Sequence, residues 1–265
     1  MHSETTSHNG LIQGASSSFS DLIGGRQFTA PADSPHGTTI VAARYADGVL
    51  VAGDRRATMG NHIALHDVEK VFGADTSTII GIAGAAGLAF EMVKLFQVEL
   101  EHFEKLEGAE LSFDGKANRL GALIRQHLPQ AMHGFTIIPL FAGWDVARGH
   151  GRMFTYDGTG GRYEEDAFAA IGSGASYARS SLKKLHDPEA DEYTCAATLL
   201  QALFDAADDD AGTGGLDLTR NVLPIVMRAS ADGVARWQHE GVKEIAERVV
   251  AGRSQRHGGP KGAAL

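Results

Sequence analysis

Cysteine is nearly absent from this chain: Cys195 stands alone among 265 residues. No intrachain disulfide can form, and no multi-cysteine zinc or iron–sulfur site can be built. Aromatic residues are also few, at 7%, which argues against large aromatic ligand boxes. Basic residues are outnumbered: 24 Lys and Arg stand against 33 Asp and Glu, a formal net charge of -9. Such a chain has no global attraction for phosphate backbones, so nucleic acid is not expected as a main partner. No apolar run reaches the ~20 residues of a membrane-spanning helix. Phe135 to Trp144 and Ser77 to Phe90 come nearest, and they are too short or too rich in Gly and Ala. Residues 1–37 have neither a basic n-region nor an apolar h-region, so no secretory signal is read there and a cytoplasmic location is expected.

Familiar site motifs are missing too. There is no G-x-x-x-x-G-K-[ST] phosphate loop, no G-x-G-x-x-G dinucleotide turn, no H-E-x-x-H and no G-x-S-x-G elbow. The 12 histidines are scattered without ligand spacing, and neither metal nor cofactor is expected. Cys195 lies in the apolar run Cys195-Ala196-Ala197 and reads as a buried structural thiol. His102 and His127 fall in helix patterns and read as ordinary helix-edge residues.

What remains is a globular composition, 43% hydrophobic and 22% charged, with 33 glycines suited to tight turns and close backbone packing. Residues 1–37 are rich in Ser, Gly, Thr and His, and read either as a disordered tail or as a propeptide. At Thr38 the character changes. Thr38 to Ala46 is a β-branched strand run, Asp47-Gly48 a hairpin turn signal, and Val49 to Gly53 the returning strand. A second pair is expected across Lys70 to Phe72 and Ser77 to Ile82. Leu88, Met92, Leu95, Phe96, Phe103 and Leu106 then recur at helical spacing, and a second helix carries Leu120, Leu123, Ile124 and Leu128, limited by Pro129. Strands follow at Phe135 to Gly143, Arg152 to Tyr156 and Ala167 to Ile171, then helices at Ser176 to Leu185 and Tyr193 to Asp208. A strand is expected at Asn221 to Arg228, an Asp232-Gly233 turn, a short partner strand and a helix near Val242 to Val250. Residues 252–265 are expected to be a flexible tail. Strands come in groups and do not alternate singly with helices. This predicts an α+β fold: two antiparallel sheets face to face with helices outside, in one domain.

Three residues carry the chemistry. Thr38 opens a strand after Gly37, Asp54 ends the hairpin partner of that strand, and Lys70 begins the next strand segment. The hairpin brings Asp54 close to Thr38; if Lys70 points into the same cleft, a lysine and a carboxylate flank one hydroxyl. A threonine hydroxyl needs a base. Cutting the Gly37–Thr38 bond would supply one, since an α-amine has a pKa of roughly 7.7–8.0. A nearby lysine cation would lower that value, and the aspartate would keep the lysine charged and oriented. Threonine paired with its own α-amine is a recognised activated nucleophile. The Gly-rich segment at Gly84 offers a backbone N–H to a developing oxyanion. The alternative is ordinary: β-propensity at Thr38-Thr39, and a salt bridge between Asp54 and Lys70.

At these residues the sequence resembles proteasome β subunits, of the actinobacterial type, over nearly all of Thr38 to Val250. The stretches are H-G-T-T-I-V-A at His36 to Ala42, A-G-D-R-R-A-T at Ala52 to Thr58 and E-K-V-F at Glu69 to Phe72. G-I-A-G-A-A at Gly81 to Ala86, E-L-E-H-F-E-K-L-E-G at Glu99 to Gly108, G-S-G at Gly172 to Gly174 and D-D-D-A-G-T-G-G at Asp208 to Gly215 complete the set. The resemblance implies a four-layer αββα N-terminal-nucleophile hydrolase fold. It also implies threonine endopeptidase activity on proteins and peptides, in heptameric β rings stacked with rings of α subunits and served indirectly by an ATPase ring. Thr38 is then the catalytic threonine, exposed by self-cleavage after Gly37, and residues 1–37 are the propeptide of a catalytic domain over 38–251.

Asp54 and Lys70 match the family's aspartate and lysine, and Arg56 an arginine that supports them. Ser173 and Asp210 match a serine and an aspartate that bond the threonine amine. Thr213 stands where many members have serine. Gly84 matches the oxyanion-hole glycine. Ala57, Thr58, Val68, Phe72, Ile82 and Ala86 are the implied substrate-pocket positions; they carry no charge, and cleavage after apolar residues is expected. A non-catalytic ring subunit and another N-terminal-nucleophile amidase are the competing readings.

Overall fold

Alternation along the first strands decides the layering. In β1 (Thr39–Tyr45), Ile40 and Ala42 lie in one buried cluster, whereas Val41 and Ala43 lie in another. In β2 (Gly48–Gly53), Val49 and Val51 go with the first cluster and Leu50 and Ala52 with the second. A strand buried on both faces belongs to a sheet covered on both faces.

The computed structural model describes residues 37–260, so the expectations that fall on residues 1–36 and 261–265 lie outside the described residues. The chain continues through a hairpin of β3 (Ala57–Met59) and β4 (His62–Leu65), then β5 (Val71–Gly73) and β6 (Thr78–Gly84). Helices α1 (Ala86–Glu107), α2 (Phe113–Gln126) and short α3 (Leu128–Met132) follow, then β7 (Ile137–Asp145), β8 (His150–Tyr156), β9 (Arg162–Glu165) and β10 (Phe168–Gly172). The chain closes with α4 (Ala175–Leu185), α5 (Glu192–Asp209), β11 (Ile225–Ser230), β12 (Gly233–Arg236) and α6 (His239–Gln255). One five-stranded sheet has the order β10-β1-β2-β11-β12 and the other β5-β6-β7-β8-β9, all pairs antiparallel.

Ile40, Val51, Ile79, Leu140, Met153 and Met227 fill the space between the sheets. Val41 and Leu50 face α4, α5 and α6 through Leu182, Leu199, Leu203 and Ile245. Ile80, Phe141 and Phe154 face α1 and α2 through Met92, Phe96, Leu120 and Leu123. The result is the expected αββα sandwich. No helix among the described residues is long and apolar enough to cross a membrane.

Several local expectations are corrected. The first hairpin loop is Ala46-Asp47, because Gly48 already pairs with Tyr45. Gly48 is needed for packing: a Cβ there would lie 2.3 Å from the carbonyl oxygen of Ala229 on β11. The second loop is shifted in the same way, with Gly233 paired to Ser230. The last long strand begins at Ile225, not Asn221, since Asn221 has a positive φ of 57°. Hairpin β3–β4 and strand β9 were not among the expected elements. The tail does not start at 252: α6 runs to Gln255, and Arg253 is buried against Asp205, at 2.7 Å, and the ring of Phe204.

A buried arginine ties the second sheet to α2. Arg152 of β8 is 3% exposed and donates to Asp145, Asp114 and Glu164 while lying over the rings of Phe113 and Phe154. Hydrogen bonds from Arg152 hold both Asp114 and Glu164 below the usual carboxylate range. Carboxyls with depressed pKa stabilise the fold above their unfolded values, and that contribution fades as pH falls. The melting temperature should therefore drop between about pH 5 and pH 3, and Arg152→Met, less stable at neutral pH, should flatten that drop. Parallel curves for the two proteins would remove the arginine from the account.

Candidate active site

The β1–β2 hairpin builds the first half of the site. Ile40 pairs with Gly53, so Asp54 emerges beside Thr39 and its N–H donates to the Thr39 carbonyl at 3.1 Å. The Asp54 carboxylate is 1% exposed. Its Oδ1 accepts from the Thr39 N–H and from Lys70 Nζ, both at 2.8 Å. Its Oδ2 accepts from the N–H groups of Arg56, at 2.9 Å, and Gly214, at 2.8 Å.

Lys70 does point into this cleft. Its main chain is fixed where its carbonyl accepts from the Ile82 N–H at 2.9 Å. Its Nζ donates to Asp54 Oδ1, to the Gly37 carbonyl at 3.0 Å and to the Arg56 carbonyl, so all three ammonium hydrogens are used. Burial pulls the Lys70 pKa below its ordinary value; Asp54 opposes this, and the Arg56 and Arg55 cations add to it. Thr38, 5% exposed, sits above, its Oγ1 donating to the Gly37 carbonyl at 2.5 Å.

Strand β10 and the loop after α5 build the second half. Ser173 follows β10; its N–H donates to the Thr38 carbonyl at 2.9 Å, and its Oγ accepts from the Thr38 N–H at 3.4 Å. The Ser173 and Thr213 hydroxyls both donate to Asp210 Oδ2 at 2.6 Å, and the Gly212 N–H donates to Oδ1 at 3.1 Å. Burial pushes the Asp210 pKa up, but the Ser173, Thr213 and Gly212 bonds, with the Arg56 cation, outweigh it and leave Asp210 below the usual range. Arg56 braces the same loop through the Ala211 carbonyl at 3.2 Å.

Two glycines allow the approach of these pieces. Gly172 has φ +98°, and a Cβ there would lie 2.0 Å from the Thr38 carbonyl oxygen. Gly37, also at φ +98°, brings its carbonyl to Lys70 and leaves no room for a Cβ, which would meet Thr58 Oγ1 at 2.5 Å.

A shallow depression opens at Thr38. Of the expected pocket residues it is lined by Ala57, Val68, Ile82 and Ala86, together with Gly84. Thr58 and Phe72 do not line it. Thr58 lies against Gly37, and Phe72 packs edge-on to Phe90, with ring centroids 6.0 Å apart. Ala83, Ala89 and Phe90 line it instead. Ala89 and Phe90 follow Ala86 at the i+3 and i+4 spacing of one helix face, and that spacing is the signal by which they can be found. Lys70, at the floor, is the one charged residue of the lining. Among the described residues no group of three or more His, Cys, Asp and Glu is placed to hold a metal. Cys195 is buried away from the site, and burial pushes its thiol up to about 12.

The family model described as "Proteasome subunit" matches residues 34–218. A protein of Acidothermus cellulolyticus named "Proteasome subunit beta" is 52% identical over 248 residues, covering 91% of this chain and 86% of that protein. A protein of the same name from Streptomyces griseus is 53% identical over 233 residues, covering 88% and 83%, respectively. One from Stackebrandtia nassauensis is 50% identical over 264 residues, covering 94% and 95%. This chain belongs to the proteasome β-subunit family.

The proteasome match includes every residue of both half-sites. The sandwich described above is thus the N-terminal-nucleophile hydrolase fold of proteasome subunits. Thr38, Asp54, Lys70, Arg56, Ser173, Asp210 and Thr213 lie in one connected hydrogen-bond network. Sequence reasoning about this proteasome chain missed Thr39, whose amide serves Asp54 and whose hydroxyl lies 2.6 Å from that of Thr213. It also missed the main-chain donors of Gly212 and Gly214. The doubled threonine at 38 and 39 was the available signal for the first; main-chain donors leave none.

Proposed function

We propose that this chain is a catalytic β subunit of a 20S proteasome core, a threonine endopeptidase with Thr38 as its nucleophile. The observation that carries the reading is the position of Thr38 between two half-sites, Asp54–Lys70 at the Gly37 carbonyl and Ser173–Asp210–Thr213 at the Thr38 nitrogen. In the uncleaved chain, Lys70 polarises the Gly37 carbonyl through its hydrogen bond. Addition of Thr38 Oγ1 to that carbonyl carbon, transfer of the hydroxyl proton to the Thr38 nitrogen and breakage of the Gly37–Thr38 C–N bond leave an ester. Water hydrolyses the ester, releasing residues 1–37 as the propeptide and freeing the α-amine of Thr38.

The same steps then serve a substrate. The α-amine takes the hydroxyl proton as Oγ1 adds to the scissile carbonyl, and the N–H of Gly84 bonds the developing oxyanion. The α-ammonium returns the proton to the departing amine, and water releases the acyl product. Asp54 and Lys70 set the field under the hydroxyl, and Arg56 braces the loop that carries Asp210. Side chains on the amino side of the scissile bond would enter the depression lined by Ala57, Val68, Ile82, Ala86 and Phe90, whose lack of acidic groups favours apolar residues. Heptameric β rings, flanking rings of α subunits, an ATPase ring serving them indirectly and a cytoplasmic location complete the proposal. The non-catalytic subunit and the small-amide enzyme are less economical readings of a site in which Lys70 reaches the Gly37 carbonyl and Ser173 the Thr38 nitrogen.

Co-expression with an α subunit tests it. The intact mass should correspond to a chain that begins at Thr38, and a peptide library should be cut mainly after apolar residues. A full-length mass in an assembled barrel would favour the non-catalytic reading, and dominant cleavage after basic residues would overturn the pocket assignment.

A further inference from the structure

Thr39 touches both halves of the site. It is fully buried, at 0% exposure. Its N–H donates to Asp54 Oδ1 and its carbonyl accepts from the Asp54 N–H. Its hydroxyl turns the other way, 2.6 Å from Thr213 Oγ1, and accepts from the Gly174 N–H at 3.1 Å.

Counting hydrogens sets the direction of this chain. A carboxylate only accepts, and a hydroxyl has one hydrogen to give. Thr213 and Ser173 each spend theirs on Asp210 Oδ2, at 2.6 Å. Thr213 Oγ1 therefore accepts in its contact with Thr39, and the hydrogen there is that of Thr39. Ser173 Oγ likewise has only lone pairs left for the Thr38 N–H. Its contact with the Thr38 carbonyl, at 3.3 Å, is longer and loses the hydrogen to Asp210. The run is Gly174 N–H to Thr39 O–H to Thr213 O–H to Asp210, met from the other side by Ser173 O–H.

We propose that Thr39 is a positioning residue: its hydroxyl holds Thr213 and, through it, Asp210, so that Ser173 presents an acceptor to the nitrogen of Thr38. The inference rests on the peptidase reading above. Once that nitrogen is a free amine, giving one N–H to Ser173 turns its lone pair away from Ser173 and toward the Thr38 hydroxyl that it must deprotonate. A hydrogen from Ser173 at that point would occupy the lone pair instead.

The test uses the assembled, processed particle and a fluorogenic peptide. Thr39→Val keeps the shape and removes the hydroxyl; kcat should fall roughly tenfold with KM within about twofold, the size expected for one buried hydrogen bond acting on the reacting state. Thr39→Ser should restore kcat. In a double-mutant cycle, Thr39→Val should add nothing to Thr213→Val, because both remove the same link. Unchanged kcat in Thr39→Val, or losses that multiply in the double variant, overturns the inference while leaving the peptidase reading intact. A wild-type particle no more active than Thr38→Ala overturns that reading and this one together. If Thr39→Val fails to assemble, Thr39→Ala, which leaves room for a water on the Gly174 N–H, takes its place in the cycle.

Discussion

Replacing Thr38 by alanine is expected to leave residues 1–37 attached and to lower peptide hydrolysis by at least about a thousandfold, the scale on which removal of a nucleophile acts. The methyl group left at position 38 has no oxygen to add to the Gly37 carbonyl, so the α-amine is never released. On the proposed mechanism, one substitution removes both the nucleophile and its base. The fold should survive, because the only partner of Thr38 Oγ1 among the described contacts is the adjacent Gly37 carbonyl. That carbonyl keeps its bond from Lys70. The Ser173 N–H still reaches the Thr38 carbonyl, which does not depend on the side chain. Intact mass and melting temperature separate the outcomes. A full-length chain with near wild-type melting and no hydrolysis supports the assignment. A chain that still begins at residue 38 means that another group cuts the bond, and self-cleavage is refuted. Thr38→Ser, which keeps the oxygen, should both process and hydrolyse.

The sequence made the layers legible where burial is periodic. Val41 and Leu50 on one face, with Ile40 and Val51 on the other, can be read without coordinates, and both sheets follow from such runs. Short exposed strands were harder. His62–Leu65 and Arg162–Glu165 bury little, so hydrophobic pattern marks neither, although Gly60-Asn61 carries a hairpin turn signal for the former. Hairpin loops slipped by one residue because Gly48 answers to a neighbouring backbone rather than to the turn. In the site, the side chains that carry charge were legible from residue type and order. Lys70 was not placed by spacing alone, since nothing in the sequence says which way the residue before β5 points. The structure settles that through its bonds to Asp54 and Gly37. Thr58 and Phe72 were implied by the family resemblance, and the structure instead places Thr58 against Gly37 and Phe72 edge-on to Phe90.

Lys70 and Asp54 should respond unequally to removal, though they form one buried pair at 2.8 Å. In Lys70→Met, Asp54 keeps three main-chain donors, the N–H groups of Thr39, Arg56 and Gly214. Those bonds survive the substitution, and the stability loss should be limited to about 1–3 kcal/mol. Hydrolysis should nonetheless fall at least about a hundredfold, because the field under the Thr38 hydroxyl is gone. Asp54→Leu is the harsher change. It strands those three N–H groups and leaves the Lys70 ammonium facing two carbonyls with no counter-charge. Breaking a buried pair in that way costs about 3–5 kcal/mol, enough to unfold a marginal domain. Asp54→Asn lies between: it retains an acceptor for the main chain but removes the charge that opposes burial at Lys70, so the lysine loses its proton more easily still. Denaturant midpoints should therefore fall in the order Lys70→Met, Asp54→Asn, Asp54→Leu, while all three are inactive. Equal destabilisation by Lys70→Met and Asp54→Leu would mean that the main-chain donors contribute little, and that Asp54 is held by charge alone.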